Sequence, residues 1–173
     1  MRSQERLEVL MLLDLCTGGT LLDHCKDSIA TRSGFRSSAS RESDDIWPVF
    51  RQVVEAVAAM HAVNPAVSHR DLKLTNVFRS GIRWIVADFG SCSFGTFNCT
   101  DKHAVQAAQD EVDHLTTPDY RAPEQCALQV GTVLSPAVDM WALGVILYQL
   151  AFGATPFQGN LGTLSGRYHM ADS

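Results

Sequence analysis

His69-Arg70-Asp71-Leu72-Lys73-Leu74-Thr75-Asn76 is the stretch on which the interpretation of this chain turns. A carboxylate follows an arginine, a lysine stands two residues on, and an amide closes the octapeptide five residues after the acid. A single Asp after Arg is most often a helix cap or half of a salt bridge. Five defined residue types in register are a different matter, because chance rarely supplies them together.

Two further motifs follow in order. Asp88-Phe89-Gly90 comes seventeen residues after Asp71, behind the apolar Ile85-Val86-Ala87. Alone it is a strand ending in an Asx-turn. Asn76-Val77-Phe78 and Trp84-Ile85-Val86 flank Ser80-Gly81, which predicts a small hairpin between the two acidic motifs. Thr116-Thr117-Pro118-Asp119-Tyr120-Arg121-Ala122-Pro123-Glu124 then ends a long polar stretch. The chemistry that needs this set is phosphoryl transfer, in which a protein mostly positions groups and neutralises charge. Asp71 would accept a hydrogen bond from a substrate hydroxyl, and Lys73 would meet the transferring phosphate as a point charge. Asn76 and the Asp88 carboxylate would offer oxygens to Mg²⁺. Thr117 would face Asp71 and Lys73, Phe89 would pack inward, and Gly90 would let the chain swing.

Working outward, Leu7 to Cys16 is a nearly continuous apolar run closed by Gly18-Gly19, and it predicts a buried strand. Thr20 caps a short helix through Leu21, Leu22 and Cys25. Ala30 to Asp45 is rich in Ser, Arg, Gly and acid, which predicts a surface loop. Apolar residues at 46, 49, 50, 53, 54, 57 and 60 form a helical stripe over Ile46 to Ala62, with Pro48 in its first turn. Ser91 to Leu115 is expected to be a long irregular loop. Ser135-Pro136 opens a helix running to about Phe152 and stopping at Gly153.

Composition bounds the function classes. With 173 residues, 46% of them hydrophobic and 19% charged, the chain suits one well-buried globular unit. A net charge of -5 leans against nucleic acid as a partner. The five cysteines (Cys16, Cys25, Cys92, Cys99 and Cys126) include no C-x-x-C pair, so reduced thiols in a cytoplasmic protein are expected. Asn98-Cys99-Thr100 matches a glycosylation sequon, a match expected by chance without a secretory route. Met1 to Glu8 is charged, unlike a signal peptide, and Met140 to Phe152 is too short for a membrane span.

In this order the three motifs resemble the protein kinase superfamily, and Lys73 with Thr117 resembles its serine/threonine branch. Val9 to Gly19, Asp88-Phe89-Gly90-Ser91, Asp110-Glu111-Val112, Thr116 to Glu124 and Asp139-Met140-Trp141-Ala142-Leu143-Gly144 are similar to the Numb-associated kinases, over about Leu7 to Phe157. The resemblance implies an α+β architecture: a partial kinase fold with the last strand of the small lobe and its hinge over 1–16. A helical large lobe would follow over 17–157, and a divergent tail over 158–173. It implies ATP and Mg²⁺ as cofactors, a protein substrate and, within that family, endocytic adaptor subunits.

The same resemblance assigns residues. Leu13 would be the gatekeeper, and Asp14, Leu15 and Cys16 the hinge that bonds adenine. Phe78 would floor the adenine pocket where the family has leucine, so its bulk bears on nucleotide fit. Asp139 would brace the His69-Arg70 backbone, and His69 with Phe89 would belong to the spine linking the lobes. Glu124 would pair with a late arginine, for which no candidate is evident, and the tail from Gln158 resembles no family helix.

No G-x-G-x-x-G and no strand lysine precede Asp71, since Lys26 is the only upstream lysine and follows the hinge. These parts supply most phosphate binding, so the 173 residues alone are expected to be inactive or nearly so. Two accounts compete: a kinase catalytic region whose sequence is truncated, and a non-catalytic kinase-like interaction module. A metal-only enzyme built on Asp71 and Asp88 is a distant third, because those groups hold Mg²⁺ poorly without phosphates. Arg70 is also the kind of arginine that pairs with a phosphorylated loop residue, with Ser91, Ser93, Thr96, Thr100 and Thr116 available. Mass spectrometry showing no loop phosphate would count against that regulation.

Overall fold

A computed structural model describes residues 10–32 and 43–168. Along the chain run α1 (Leu21–Arg32), α2 (Ser43–His61), β1 (Val67–Ser68), β2 (Val77–Ser80), β3 (Arg83–Val86), β4 (Ser93–Phe94) and β5 (Phe97–Asn98). They are followed by α3 (Lys102–Leu115), α4 (Pro123–Cys126), β6 (Val133–Leu134), α5 (Ala137–Phe152) and α6 (Gly159–Ser165). The strands form three separate antiparallel pairs, β1 with β4, β2 with β3 and β5 with β6. This is the expected α+β character, with helices supplying most of the regular secondary structure among the described residues.

The helix predictions rest on physics that the structure repeats. Thr20 and Asp23 close a reciprocal cap at α1, the Thr20 amide donating to Asp23 Oδ2 at 3.0 Å and the Asp23 amide to Thr20 Oγ1 at 3.2 Å. On α2, Ile46, Val53 and Val57 are buried while Val49, Phe50, Val54 and Met60 are half-buried, the period of one helical face. α5 stops at Gly153, whose φ of 79° is left-handed and whose amide donates to Gln149 O. These faces meet in a core of Leu21, Cys25, Val53, Val57, Leu72, Leu74, Val77, Trp84, Leu143, Ile146 and Leu150. A smaller cluster of Cys99, Ala108, Val112, Ala122, Leu134 and Val138 lies under α3.

Four expectations need correction. The apolar run ahead of Gly18 forms no strand over its described part: Leu10, Leu12 and Leu15 are 96%, 99% and 85% exposed. A strand holds only against a partner, and among the described residues none pairs with it. Both ends of the loop predicted over Ala30 to Asp45 are helical, since α1 reaches Arg32 and α2 begins at Ser43, which puts Pro48 a turn deeper than expected. What lies between falls outside the described residues.

The stretch from Ser91 to Leu115 is not irregular. Its last 14 residues are α3, capped by Asp101 Oδ1, which accepts from the amides of His103 and Ala104 at 2.9 and 3.0 Å. Val105, Ala108 and Val112 face the small cluster at helical spacing, a stripe hidden by the polar residues around it. Within the stretch from Gln158 lies a short helix, α6, whose kinship nothing here decides. Asp119 accepts its Gly159 amide at 2.7 Å, and Asn160 meets Arg121. Phe89, finally, is 56% exposed and not packed inward.

Candidate active site

The octapeptide crosses from β1 to β2 through a short 3₁₀ turn at Leu74–Asn76. Leu72 and Leu74 anchor it from beneath, 0% and 1% exposed, so Lys73 between them points the other way. Arg70 takes a left-handed φ of 68°, rare outside glycine and tolerated where the surroundings over-determine it. Asp139 of α5, entirely buried, supplies that constraint. Its Oδ2 accepts the His69 amide at 2.7 Å and its Oδ1 the Arg70 amide at 2.8 Å. His61 Nε2 lies 2.8 Å from the same Oδ2, so the end of α2 joins the brace.

Four of the predicted residues meet here. Asp71 Oδ1 accepts from both the amide and the hydroxyl of Thr117, at 3.0 and 2.6 Å. Lys73 Nζ donates to Asp71 Oδ2 at 2.6 Å and to Thr117 Oγ1 at 2.8 Å. Asn76 Nδ2 donates to Asp71 O at 2.9 Å, which leaves its amide oxygen for another partner. A carboxylate in these bonds is an acceptor with lone pairs already aimed at hydroxyl and ammonium protons, the disposition needed to orient a substrate hydroxyl.

Asp88 ends the β3 side at a φ of 66° and is exposed. The neighbouring rings of Phe89 and His69 touch at 5.6 Å between centroids, tilted by 50°. His69 Nε2 lies 3.0 Å from Ala87 O, so the two acidic motifs are tied through backbone and ring. Asn76 and Asp88 together offer an amide and a carboxylate oxygen. That donor set fits Mg²⁺, which takes one or two protein carboxylates and completes its shell with phosphates and water. Among the described residues no cluster of three or more His, Cys, Asp or Glu could hold a metal unaided.

The residues assigned to the hinge are less enclosed. Leu13 is 74% exposed, Asp14 is exposed, and Cys16 is half-buried. The turn after them is fixed to the hairpin: Gly18 donates to Arg79 O at 3.1 Å, and Arg79 donates back to Gly19 O at 2.9 Å. A Cβ on Gly18 would lie 2.8 Å from both Arg79 Cβ and Arg79 O, so glycine is required by the close approach. Half-buried Phe78 sits across from Thr20 on one side and Ile85 on the other.

Several residues of the quoted motifs shape the site through contacts that their spacing does not reveal. Arg121, 5% exposed, donates to Thr116 Oγ1 at 2.7 Å, Asp113 Oδ1 at 3.1 Å, Thr116 O at 3.1 Å and Val112 O at 3.1 Å. It holds Thr117's neighbour to α3. Glu111 pairs with Arg70 at 2.6 Å, and the Ser91 hydroxyl donates to Leu115 O at 2.6 Å. Tyr120 donates to Gln149 Oε1, and burial pushes its phenol up to about 12. The five cysteines are free thiols; burial, then Asp139, push the Cys92 thiol up and keep it a poor nucleophile. The polar partners of buried arginines are legible only when the fold brings distant segments together.

The protein kinase domain family matches this chain over residues 2–172. Two probable serine/threonine-protein kinases of Dictyostelium discoideum are 37% and 36% identical over 99% and 93% of this chain, which covers 21% and 14% of their lengths. An actin-regulating kinase of Saccharomyces cerevisiae is 33% identical over 93% of this chain and 19% of its own length. The chain thus spans about a fifth or less of these curated relatives. A match along nearly the whole sequence, over a site in which Asp71, Lys73, Asn76 and Thr117 converge, leads to one conclusion: this chain belongs to the protein kinase family.

Proposed function

We propose that this chain is the catalytic part of a serine/threonine protein kinase of Numb-associated type, transferring the γ-phosphoryl group of ATP to Ser or Thr hydroxyls of a protein. The observation that supports it most is the contact among Asp71, Lys73 and Thr117, with bonds of 2.6 to 3.0 Å. Asp71 holds the acceptor hydroxyl and receives its proton. Lys73 supplies positive charge beside the transferring group, and Thr117 keeps both side chains in place until substrate arrives. Asn76 and Asp88 hold Mg²⁺, which when bound neutralises phosphate charge. Leu13, Asp14, Cys16 and Phe78 contribute the adenine side. Endocytic adaptor subunits in the cytoplasm are the proposed substrates, and nucleic acid is not a proposed partner.

Two measurements test this. Native protein isolated from its cells should phosphorylate Ser or Thr in protein substrates, and Asp71→Asn should lower the rate by about a hundredfold or more. Undiminished transfer in that variant would refute the assignment of Asp71. The 173 residues alone, which have no glycine loop and no strand lysine ahead of Asp71, should turn over at least about a hundredfold more slowly than the native protein. Equal turnover would remove the proposed dependence on those parts.

The exposure of Leu10, Met11, Leu12, Leu13 and Leu15 favours a second account, a non-catalytic module that docks a partner along this run. Native protein with intact binding but no Asp71-dependent transfer would select it.

A further inference from the structure

Arg70 stands beside the catalytic Asp71, and a free guanidinium there invites a phosphate on the activation loop. In this fold the guanidinium is already engaged. Its Nε donates to Ser91 O at 2.5 Å and its Nη1 to Glu111 Oε2 at 2.6 Å. The arginine side chain is only 14% exposed, while that of Glu111 is 58% exposed. Glu111 comes from α3, the helix inside the segment that would otherwise need ordering.

Around this pair the loop hydroxyls are largely committed. Ser91, 8% exposed, donates to Leu115 O at 2.6 Å. Thr116 Oγ1 donates to Val112 O at 2.7 Å and accepts from Arg121 Nε at 2.7 Å. Thr100 donates to Asp101 at the helix cap. A phosphate on Ser91 or Thr116 would break these bonds before it could make new ones. One turn of α3 is therefore held at three points: Glu111 to Arg70, Asp113 to Arg121, and Leu115 to Ser91.

We propose that Glu111 is a positioning residue whose carboxylate serves as the resident counter-anion of Arg70, ordering the activation segment against the catalytic loop without phosphorylation. The physical basis is charge. A phosphate would bring up to two negative charges and three acceptor oxygens to Arg70, and Glu111 supplies one charge and one bond from a helix that packing already fixes. The significance of the contact for catalysis rests on the kinase reading above, whereas the contact itself does not.

The experiment uses the full chain, treated with phosphatase and shown phosphate-free by intact mass. Amide hydrogen exchange is followed at His69 to Asp71, Ser91 and Leu115 to Thr117, in wild type, Glu111→Gln and Glu111→Gln/Arg70→Ala. Phosphate-free wild type should be protected at these amides, and Glu111→Gln should exchange about five- to tenfold faster, the size of a half-exposed charge-assisted bond. Inorganic phosphate, against chloride at matched ionic strength, should restore protection in Glu111→Gln and not in the double variant. Exchange in Glu111→Gln equal to wild type, or no rescue by phosphate, would overturn the proposal. So would phosphatase treatment that loosens wild type, a result that decides the matter even if the variant unfolds. No arm reads turnover, so failure of the kinase assignment, seen with Asp71→Asn, stays distinguishable.

Discussion

Replacing Asp139 by Asn tests how the catalytic loop is held. The carboxylate is 0% exposed and accepts three hydrogen bonds, from the His69 amide at 2.7 Å, the Arg70 amide at 2.8 Å and His61 Nε2 at 2.8 Å. An asparagine keeps one acceptor oxygen and turns an NH₂ donor toward the other donors. At least one buried N–H then loses its partner, which costs about 1–3 kcal/mol, more where the lost acceptor was charged. Arg70 adds a left-handed φ of 68°, a conformation that costs of order 1–3 kcal/mol unless its surroundings enforce it. Together the expected loss is about 2–6 kcal/mol, a large part of the 5–15 kcal/mol that holds a domain of this size. Urea unfolding followed by tryptophan fluorescence should show a lower midpoint with an unchanged slope. Amide exchange at His69 and Arg70 should accelerate more than at Val53 and Ile146. A midpoint within about 0.5 kcal/mol of wild type, with unaltered exchange at His69 and Arg70, would refute the bracing role.

Three other outcomes are expected. Gly18→Ala pushes a methyl to 2.8 Å from Arg79 Cβ and O; it should cost about 1–3 kcal/mol and raise exchange at the Arg79 amide, and neutrality in urea would show that the turn relaxes freely. Lys73→Met removes the ammonium 2.6 Å from Asp71 and 2.8 Å from Thr117, and in native protein the rate of phosphoryl transfer should fall by about a hundredfold or more with protein-substrate KM little changed. Burial holds the Tyr120 phenol at about 12, above the ordinary 10.0, with the Asp119 charge adding to the rise. Folding therefore favours its neutral form, so this stabilisation is complete below pH 10 and is lost as the pH rises from 10 toward 12. Ultraviolet titration should show one tyrosine ionising late, and Tyr120→Phe should remove that step.

Much of the site was legible because its chemistry is local. Asp71, Lys73 and Asn76 lie within one octapeptide, and their spacing alone sets them around a common point once Leu72 and Leu74 are buried. The caps at Thr20 and Gly153 and the apolar face of α2 were legible for the same reason, since each depends on neighbours within a few residues. α3 was hidden because Val105, Ala108 and Val112 make a thin stripe in a polar stretch, and the small cluster they cover is assembled from Cys99, Ala122, Leu134 and Val138. Local composition describes the exposed face and not the partner across the way.

The sequence by itself determined the lineage and the chemical groups: a carboxylate, an ammonium, an amide and a second carboxylate in a fixed order. Tertiary structure alone decided what those groups lean on. Asp139 reaches back to His69 and Arg70 across about seventy residues, Thr117 reaches Asp71 across 46, and Glu111 reaches Arg70 across 41. It also decided that the apolar run from Leu10 to Leu15 stands exposed, although its composition suits a buried strand. A residue's type states which bonds it is able to make. Which bonds it makes depends on the segments that the packing of α2, α3 and α5 brings within about 3 Å.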